Sequence, residues 1–264
     1  MSTPSHPPFL FGNVVARGFS ILYRNAVPFG TIAAVLIIPM AAVSALQALG
    51  YLPKGTVGTV IIELIVGFIL PQVMIAAIVY GSFQDIRGQK ISVGDAIAGG
   101  FQVIMPVLGV AVLTGIATLI AAVPMLAVSL IQMGGLQLVL ALALMALPIY
   151  MSVLFFVAIP ACVAEKKSVG DSIRRSVNLT EGARWHVFGI LAIIWLIAVG
   201  VVLVVLAISV GLTMVGSVLG APVLISLAVA FYLALNATMA TVAYHDMRVA
   251  KEGIGTDVVA RVFD

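Results

Sequence analysis

Three polar side chains interrupt long apolar runs: Glu63, Gln72 and Asn236. A carboxylate inside a membrane span is a candidate for proton coupling, because intramembrane ionisable groups are costly and mark ion and proton pathways. Glu63 is the one acidic residue that falls within such a run. It lies roughly 7–8 Å along a helix from the run's outer end, at 1.5 Å per residue, close enough to snorkel to interfacial water. The amides of Gln72, beside Pro71, and of Asn236 suit hydrogen bonds between helices better than ligand binding, since such contacts routinely serve packing.

A second set sits where the runs end. Asp85-Ile86-Arg87 and Asp246-Met247-Arg248 each follow a run, with Lys90 and Lys251 shortly beyond, and Glu165, His186 and His245 fall at a similar depth. Converging carboxylates, imidazoles and cations could hold a lipid headgroup or a metal. Lone histidines without a spaced third ligand make no zinc motif, and local ion pairing with positive anchoring of one membrane face accounts for the set more simply. Arg87, Lys90, Arg174, Arg175, Arg184, Arg248 and Lys251 are therefore the candidate headgroup contacts, and Glu63, Gln72 and Asn236 the candidate intramembrane site. The sequence carries no P-loop, no Gly-x-Ser-x-Gly elbow and no His-Glu-x-x-His helix. No catalytic residue, metal ligand or cofactor is assigned. The basic residues lack an aromatic platform beside them, which argues against a nucleic-acid partner.

Membrane-crossing helices must position these groups. The chain has 264 residues, 62% of them hydrophobic and 9% charged, whereas a soluble domain has about a quarter charged. A run of about 20 apolar residues crosses the hydrocarbon core, and spans are read at 26–49, 58–82, 102–130, 136–163, 186–212 and 219–243. Residues 131–135 close the middle pair as a tight hairpin. Prolines inside spans predict local kinks. The single cysteine, Cys162, excludes an intrachain disulfide and reads as a packing residue. The polar, proline-rich opening at 1–8 does not read as a signal peptide. Of the 13 Lys and Arg residues, only Lys54 falls on one side. Arg17, Arg24, Arg87, Lys90, Lys166, Lys167, Arg174, Arg175, Arg184, Arg248, Lys251 and Arg261 fall on the other. This bias places both termini and the loops 83–101 and 164–185 in the cytoplasm.

The chain also repeats. Ile91-Ser92-Val93-Gly94-Asp95-Ala96-Ile97 matches Lys167-Ser168-Val169-Gly170-Asp171-Ser172-Ile173, and Gly12-Asn13-Val14-Val15-Ala16-Arg17-Gly18-Phe19 is a looser copy. This register aligns Phe11, Val15 and Phe19 with Val93, Ile97 and Phe101, and with Val169, Ile173 and Val177, an apolar stripe at helical spacing. Ser92 and Ser168 can cap, with Asp95 and Asp171 completing a capping box. The fold expected is an all-α integral membrane protein. Its six transmembrane helices form three hairpin repeats (about 9–82, 91–163 and 167–243), each preceded by an interfacial amphipathic helix, and 244–264 is a cytoplasmic tail. Because each copy leaves on its entry side, the copies share one orientation about an axis along the membrane normal. Residues 258–263 echo 14–19 as the stub of a fourth surface helix.

The stretch Ile159-Pro160-Ala161-Cys162-Val163-Ala164-Glu165, followed by Ser172-Ile173-Arg174-Arg175-Ser176-Val177-Asn178-Leu179-Thr180-Glu181-Gly182-Ala183-Arg184-Trp185, carries a resemblance. It resembles the bacterial multi-span family related to the membrane domain of glycerophosphoryl diester phosphodiesterases. In that family a Pro and a Glu end one span, and an Arg-Ser…Leu-Thr-x-Gly-x-Arg-Trp segment leads into the next. Tyr244-His245-Asp246-Met247-Arg248 is similar to the family's end. The resemblance implies a bacterial inner-membrane location but transfers no catalytic residues, because the chain ends too soon after its last span for the phosphodiesterase barrel.

The function expected is a non-catalytic membrane scaffold or accessory protein that contacts phospholipid, with a membrane-protein partner possible. The rival is a transporter or lipid translocator with a path between the repeats. A common polar cavity lined by Glu63, Gln72 and Asn236 would favour transport, and three separate contacts would favour scaffolding. An intramembrane enzyme using His186, His245 and Asp246 ranks third.

Overall fold

The computed structural model describes residues 9–130, 134–214, 217 and 220–253, without the side chains of Leu36 and Thr213. The proposed stub at 258–263 lies outside the described residues. Those residues form α1 (Phe11–Arg24), α2 (Ala26–Ala48), α3 (Val57–Leu64), α4 (Leu70–Ile86), α5 (Val93–Gln102), α6 (Ile104–Ser129), α7 (Gly135–Leu144), α8 (Ala146–Phe155), α9 (Ala158–Glu165), α10 (Val169–Thr180), α11 (Arg184–Met214) and α12 (Gly220–Glu252). A π-helix, Ile65–Ile69, joins α3 to α4, and no strand occurs among the described residues.

Proline places most of the breaks. Its ring clashes with the carbonyl four residues earlier and it donates no backbone hydrogen bond. Counting back four from Pro28, Pro106 and Pro148 gives Arg24, Gln102 and Leu144, the last residues of α1, α5 and α7. Pro160 likewise points to Phe156, in the gap between α8 and α9. Pro71 points into the π-turn, and Pro39 to the place where α2 bends by 41°. Pro28 and Pro106 thus mark the boundary between a short helix and a span, not a kink within a span. Ser92 and Ser168 cap α5 and α10 as their spacing predicts, each hydroxyl oxygen accepting from the Asp95 or Asp171 amide at 3.3 Å.

This is an all-α membrane protein. Val57–Ile86, Ile104–Ser129, Gly135–Glu165, Arg184–Leu212 and Gly220–Glu252 are long and apolar enough to cross a bilayer, and α2 makes a sixth if its bent halves count as one span. The return helices α4, α9 and α12 pack on one another at the centre. Around them the contacts recur in cyclic order. The helix α5 lies across α4, α10 across α9 and α8, and α1 across α12; α2 packs on α4 and α12, α6 on α9 and α4, and α11 on α12 and α8.

The short helices bury a face beside the stripe, with Val14, Gly18 and Ile21 on α1, Ala96 and Gly100 on α5, and Ser172, Ser176 and Leu179 on α10. The stripe itself is only partly covered, and Phe11 and Phe101 are exposed. Close crossing demands small side chains: a Cβ on Gly100 would sit 2.9 Å from the Ala77 backbone nitrogen, and one on Gly18 2.5 Å from Met239 Sδ. Residues 244–252 continue α12, with Tyr244, His245 and Met247 buried against the bundle.

Val57 to Ala77, Gly135 to Leu154 and Gly220 to Met239 are each about 30 Å of helix, one hydrocarbon thickness. Around and beyond those points the core is dense, from Ala76–Val79, Val157–Ala164 and Leu235–Met247. Toward the hairpin tips Leu64, Leu119, Leu138, Leu142 and Leu203 are exposed. Such faces suit lipid chains.

Candidate functional site

The charged rim comes from the ends of the return helices. Acidic residues at a helix C-terminus oppose the helix dipole and need cations. Asp85 and Glu165 stand in the last turns of α4 and α9 and Asp246 six residues before the end of α12, and each finds an arginine on a short helix. Arg24 donates to Asp85 through Nε (3.2 Å) and a terminal nitrogen (2.5 Å), and Asn25 adds a bond of 2.8 Å. Arg17 pairs with Asp246 at 2.5 Å, where His245 Nδ1 also lies 3.0 Å away. Glu165 accepts from Arg175 (2.8 Å), Lys167 (2.5 Å) and the Tyr244 hydroxyl (2.6 Å).

The last set closes into a ring. Arg175 also bonds Glu252 at 2.5 Å, Glu252 accepts from Arg248 at 3.1 Å, and Arg248 reaches the Tyr244 oxygen at 3.4 Å. Burial opposes the charge on Arg175, yet Glu165 and Glu252 hold its pKa above arginine's ordinary value. The hydrogen bond and charge of Asp85 do the same for Arg24. Of the candidate headgroup contacts, Arg175 and Arg248 are thus engaged in the ring, Lys251 donates to the Asn178 carbonyl at 2.5 Å, and Arg184 donates to the Tyr150 hydroxyl at 2.8 Å. Arg87 is half-buried, while Lys90 and Arg174 are exposed. No group of three His, Cys, Asp or Glu side chains converges as metal ligands among the described residues.

The intramembrane candidates separate. Glu63 is exposed and accepts from Gln47 at 2.6 Å, tying α3 to α2 near the outer end of their hairpin. Gln72 and Asn236 instead line one cavity of about 560 Å³ between α4, α6, α8, α11 and α12. They lie five and three residues on the membrane side of Ala77 and Met239, where α5 and α1 cross. The π-turn before Pro71 resets the helical phase from the exposed α3 to the buried α4, on which Gln72 sits. Thr114, Thr118, Ser152, Tyr232 and Trp195 complete the polar part of the wall.

The hydroxyls of Thr114, Thr118 and Ser152 donate to the carbonyls of Val110, Thr114 and Pro148 on their own helices, at 2.8, 2.8 and 3.0 Å. Their oxygens keep lone pairs that can accept. The Gln72 carbonyl oxygen is buried without a partner, and no side-chain hydrogen bond engages Asn236 or the Tyr232 hydroxyl among the described residues. Tyr232 also lines an apolar groove of about 370 Å³ between α11 and α12.

Sequence reasoning missed the hydroxyl partners, because Thr and Ser in apolar runs satisfy themselves on their own helix and carry no signal. The roles of Arg17 and Arg175 were legible: they occupy the same position in the aligned copies. Comparison with protein-family models, with curated proteins and with solved structures yields no match.

Proposed function

We propose that this chain is a lipid-handling protein of the bacterial inner membrane. It holds a membrane amphiphile with its headgroup in the cavity between Gln72 and Asn236 and its chain in the groove past Tyr232. The observation that carries this reading is the shared cavity itself. Unpaired polar groups at membrane depth cost several kcal/mol each, so the Gln72, Asn236 and Tyr232 groups call for a polar occupant. Water alone would satisfy them, but the adjoining apolar groove suits an amphiphile. Of the two functions expected from sequence, the translocator is thereby favoured, on two of its three residues and without Glu63. In this account the chain comprises three parallel copies of one unit, both termini are cytoplasmic, no catalysis is required, and kinship with the phosphodiesterase membrane-domain family rests on 159–185.

The scaffold reading retains one specific support. The closed ring of Glu165, Arg175, Glu252, Arg248 and Tyr244 engages cations that a headgroup site would leave open. Native mass spectrometry of gently extracted protein separates the two. Retained lipid that is lost in the Gln72→Leu, Asn236→Leu double variant supports the cavity reading. A lipid-free chain with a stoichiometric second polypeptide supports the scaffold.

A further inference from the structure

The cavity's chemistry narrows its occupant. We infer that it takes an amphiphile whose headgroup is uncharged and bears hydroxyls, such as a diacylglycerol or a lipid of that polarity, in preference to a phospholipid. This rests on the cavity reading above and adds the headgroup class.

The first ground is charge. No Lys, Arg, His, Asp or Glu is among the cavity's described lining residues. Enclosing a phosphate there would leave a charge without a counterion, which low-dielectric surroundings penalise heavily. Of the rim arginines, Arg175, Arg248, Arg17 and Arg24 already pair with Glu165, Glu252, Asp246 and Asp85, and Arg184, which donates to the Tyr150 hydroxyl, is not among the residues that line the cavity.

The second ground is the balance of donors and acceptors. Thr114, Thr118 and Ser152 have spent their protons on backbone carbonyls and offer only lone pairs. The Gln72 carbonyl oxygen adds another acceptor, while the amide nitrogens of Gln72 and Asn236 can donate. A hydroxyl both donates and accepts, so it answers both kinds of group. A phosphodiester only accepts, and a trimethylammonium group donates nothing. The aromatic faces of Trp195, Tyr232 and Phe156 could attract a choline cation, but the phosphate joined to it would remain unanswered.

The third ground is the path for a chain. From Tyr232 outward to Ile225 the groove between α11 and α12 runs roughly 10 Å at helical rise, and its described lining is almost wholly apolar, with Ile197, Val201, Val205 and Val229 along it. Tyr232 lines both the cavity and the groove, so a headgroup at Gln72 and Asn236 would have the groove beside it for its chain.

The test reconstitutes the full chain in lipid nanodiscs with diazirine-labelled probes of matched chain length: diacylglycerol, phosphatidylglycerol or phosphatidylcholine. After photolysis, labelled peptides from α6, α11 and α12 are quantified. The expected result is a preference of roughly tenfold for diacylglycerol, the ratio that about one hydrogen bond provides. That preference should fall several-fold in Asn236→Leu and in the near-isosteric Thr114→Val, which keeps the fold if the first does not. Equal or stronger labelling by a phospholipid probe, still lost in these variants, overturns the headgroup class but keeps an occupied cavity. Labelling that no cavity variant changes overturns the cavity reading as well.

Discussion

Replacing Glu165 by Gln tests whether the charged ring holds the bundle together. The Glu165 side chain is only 10% exposed and accepts three bonds. The bond from Lys167, whose side chain is 42% exposed, is worth at most about 1 kcal/mol. Those from Arg175 and Tyr244 involve a charged group and are worth roughly 1.5–3 kcal/mol each. Arg175 keeps Glu252, and the Gln carbonyl still accepts one bond, so the expected loss is about 2–3 kcal/mol. Arg24→Met is the contrast. Its side chain is 62% exposed, and Asn25 still donates to the mostly buried Asp85 side chain when Arg24 is lost, so the loss should be about 1 kcal/mol, below that of Glu165→Gln. Denaturant unfolding in mixed micelles, with Arg175→Met completing a double-mutant cycle, reads both values and the coupling. If Glu165→Gln cost no more than Arg24→Met, with no coupling to Arg175, the ring would be an ordinary surface ion cluster and the reasoning refuted.

Two further outcomes follow from the packing and the charge distribution. Gly100→Val should destabilise by roughly 1–3 kcal/mol because the Ala77 backbone must move, whereas Gly18→Ala should cost clearly less, since the flexible Met239 side chain can yield; equal losses in the same unfolding assay would contradict this. Cys162 is fully buried, so Lys54→Cys and Lys90→Cys can be probed in intact cells with an impermeant maleimide. Position 54 should label at once and position 90 only after lysis, and the reverse order would overturn the proposed orientation.

Much of this architecture was legible because apolar run length and helix capping are local properties. The spans and the Ser92 and Ser168 caps read directly from the chain. The prolines were visible too, but as kinks; only the clash four residues upstream shows that Pro28 and Pro106 end the short helices. The small residues at the helix crossings, Gly18 and Gly100 among them, carried no signal in the apolar pattern, because the crossing geometry selects for size and not for hydrophobicity. The cavity depended on distant pairings. Gln72 and Asn236 stand on α4 and α12, and Thr114 and Ser152 on α6 and α8, and no spacing in the sequence announces that these four meet. Glu63 drew attention as an intramembrane acid, yet its distance along the helix had already placed it near the outer interface, where it bonds Gln47.

The most direct test of the central claim places a benzophenone amino acid at Trp195, which lies on the cavity wall and is 47% exposed. Irradiation in native membranes, followed by intact-mass analysis, identifies what occupies the cavity. The account predicts a single adduct of lipid mass, lost when Gln72 and Asn236 are both replaced by Leu. No lipid adduct, or one that persists in that double variant, would contradict it.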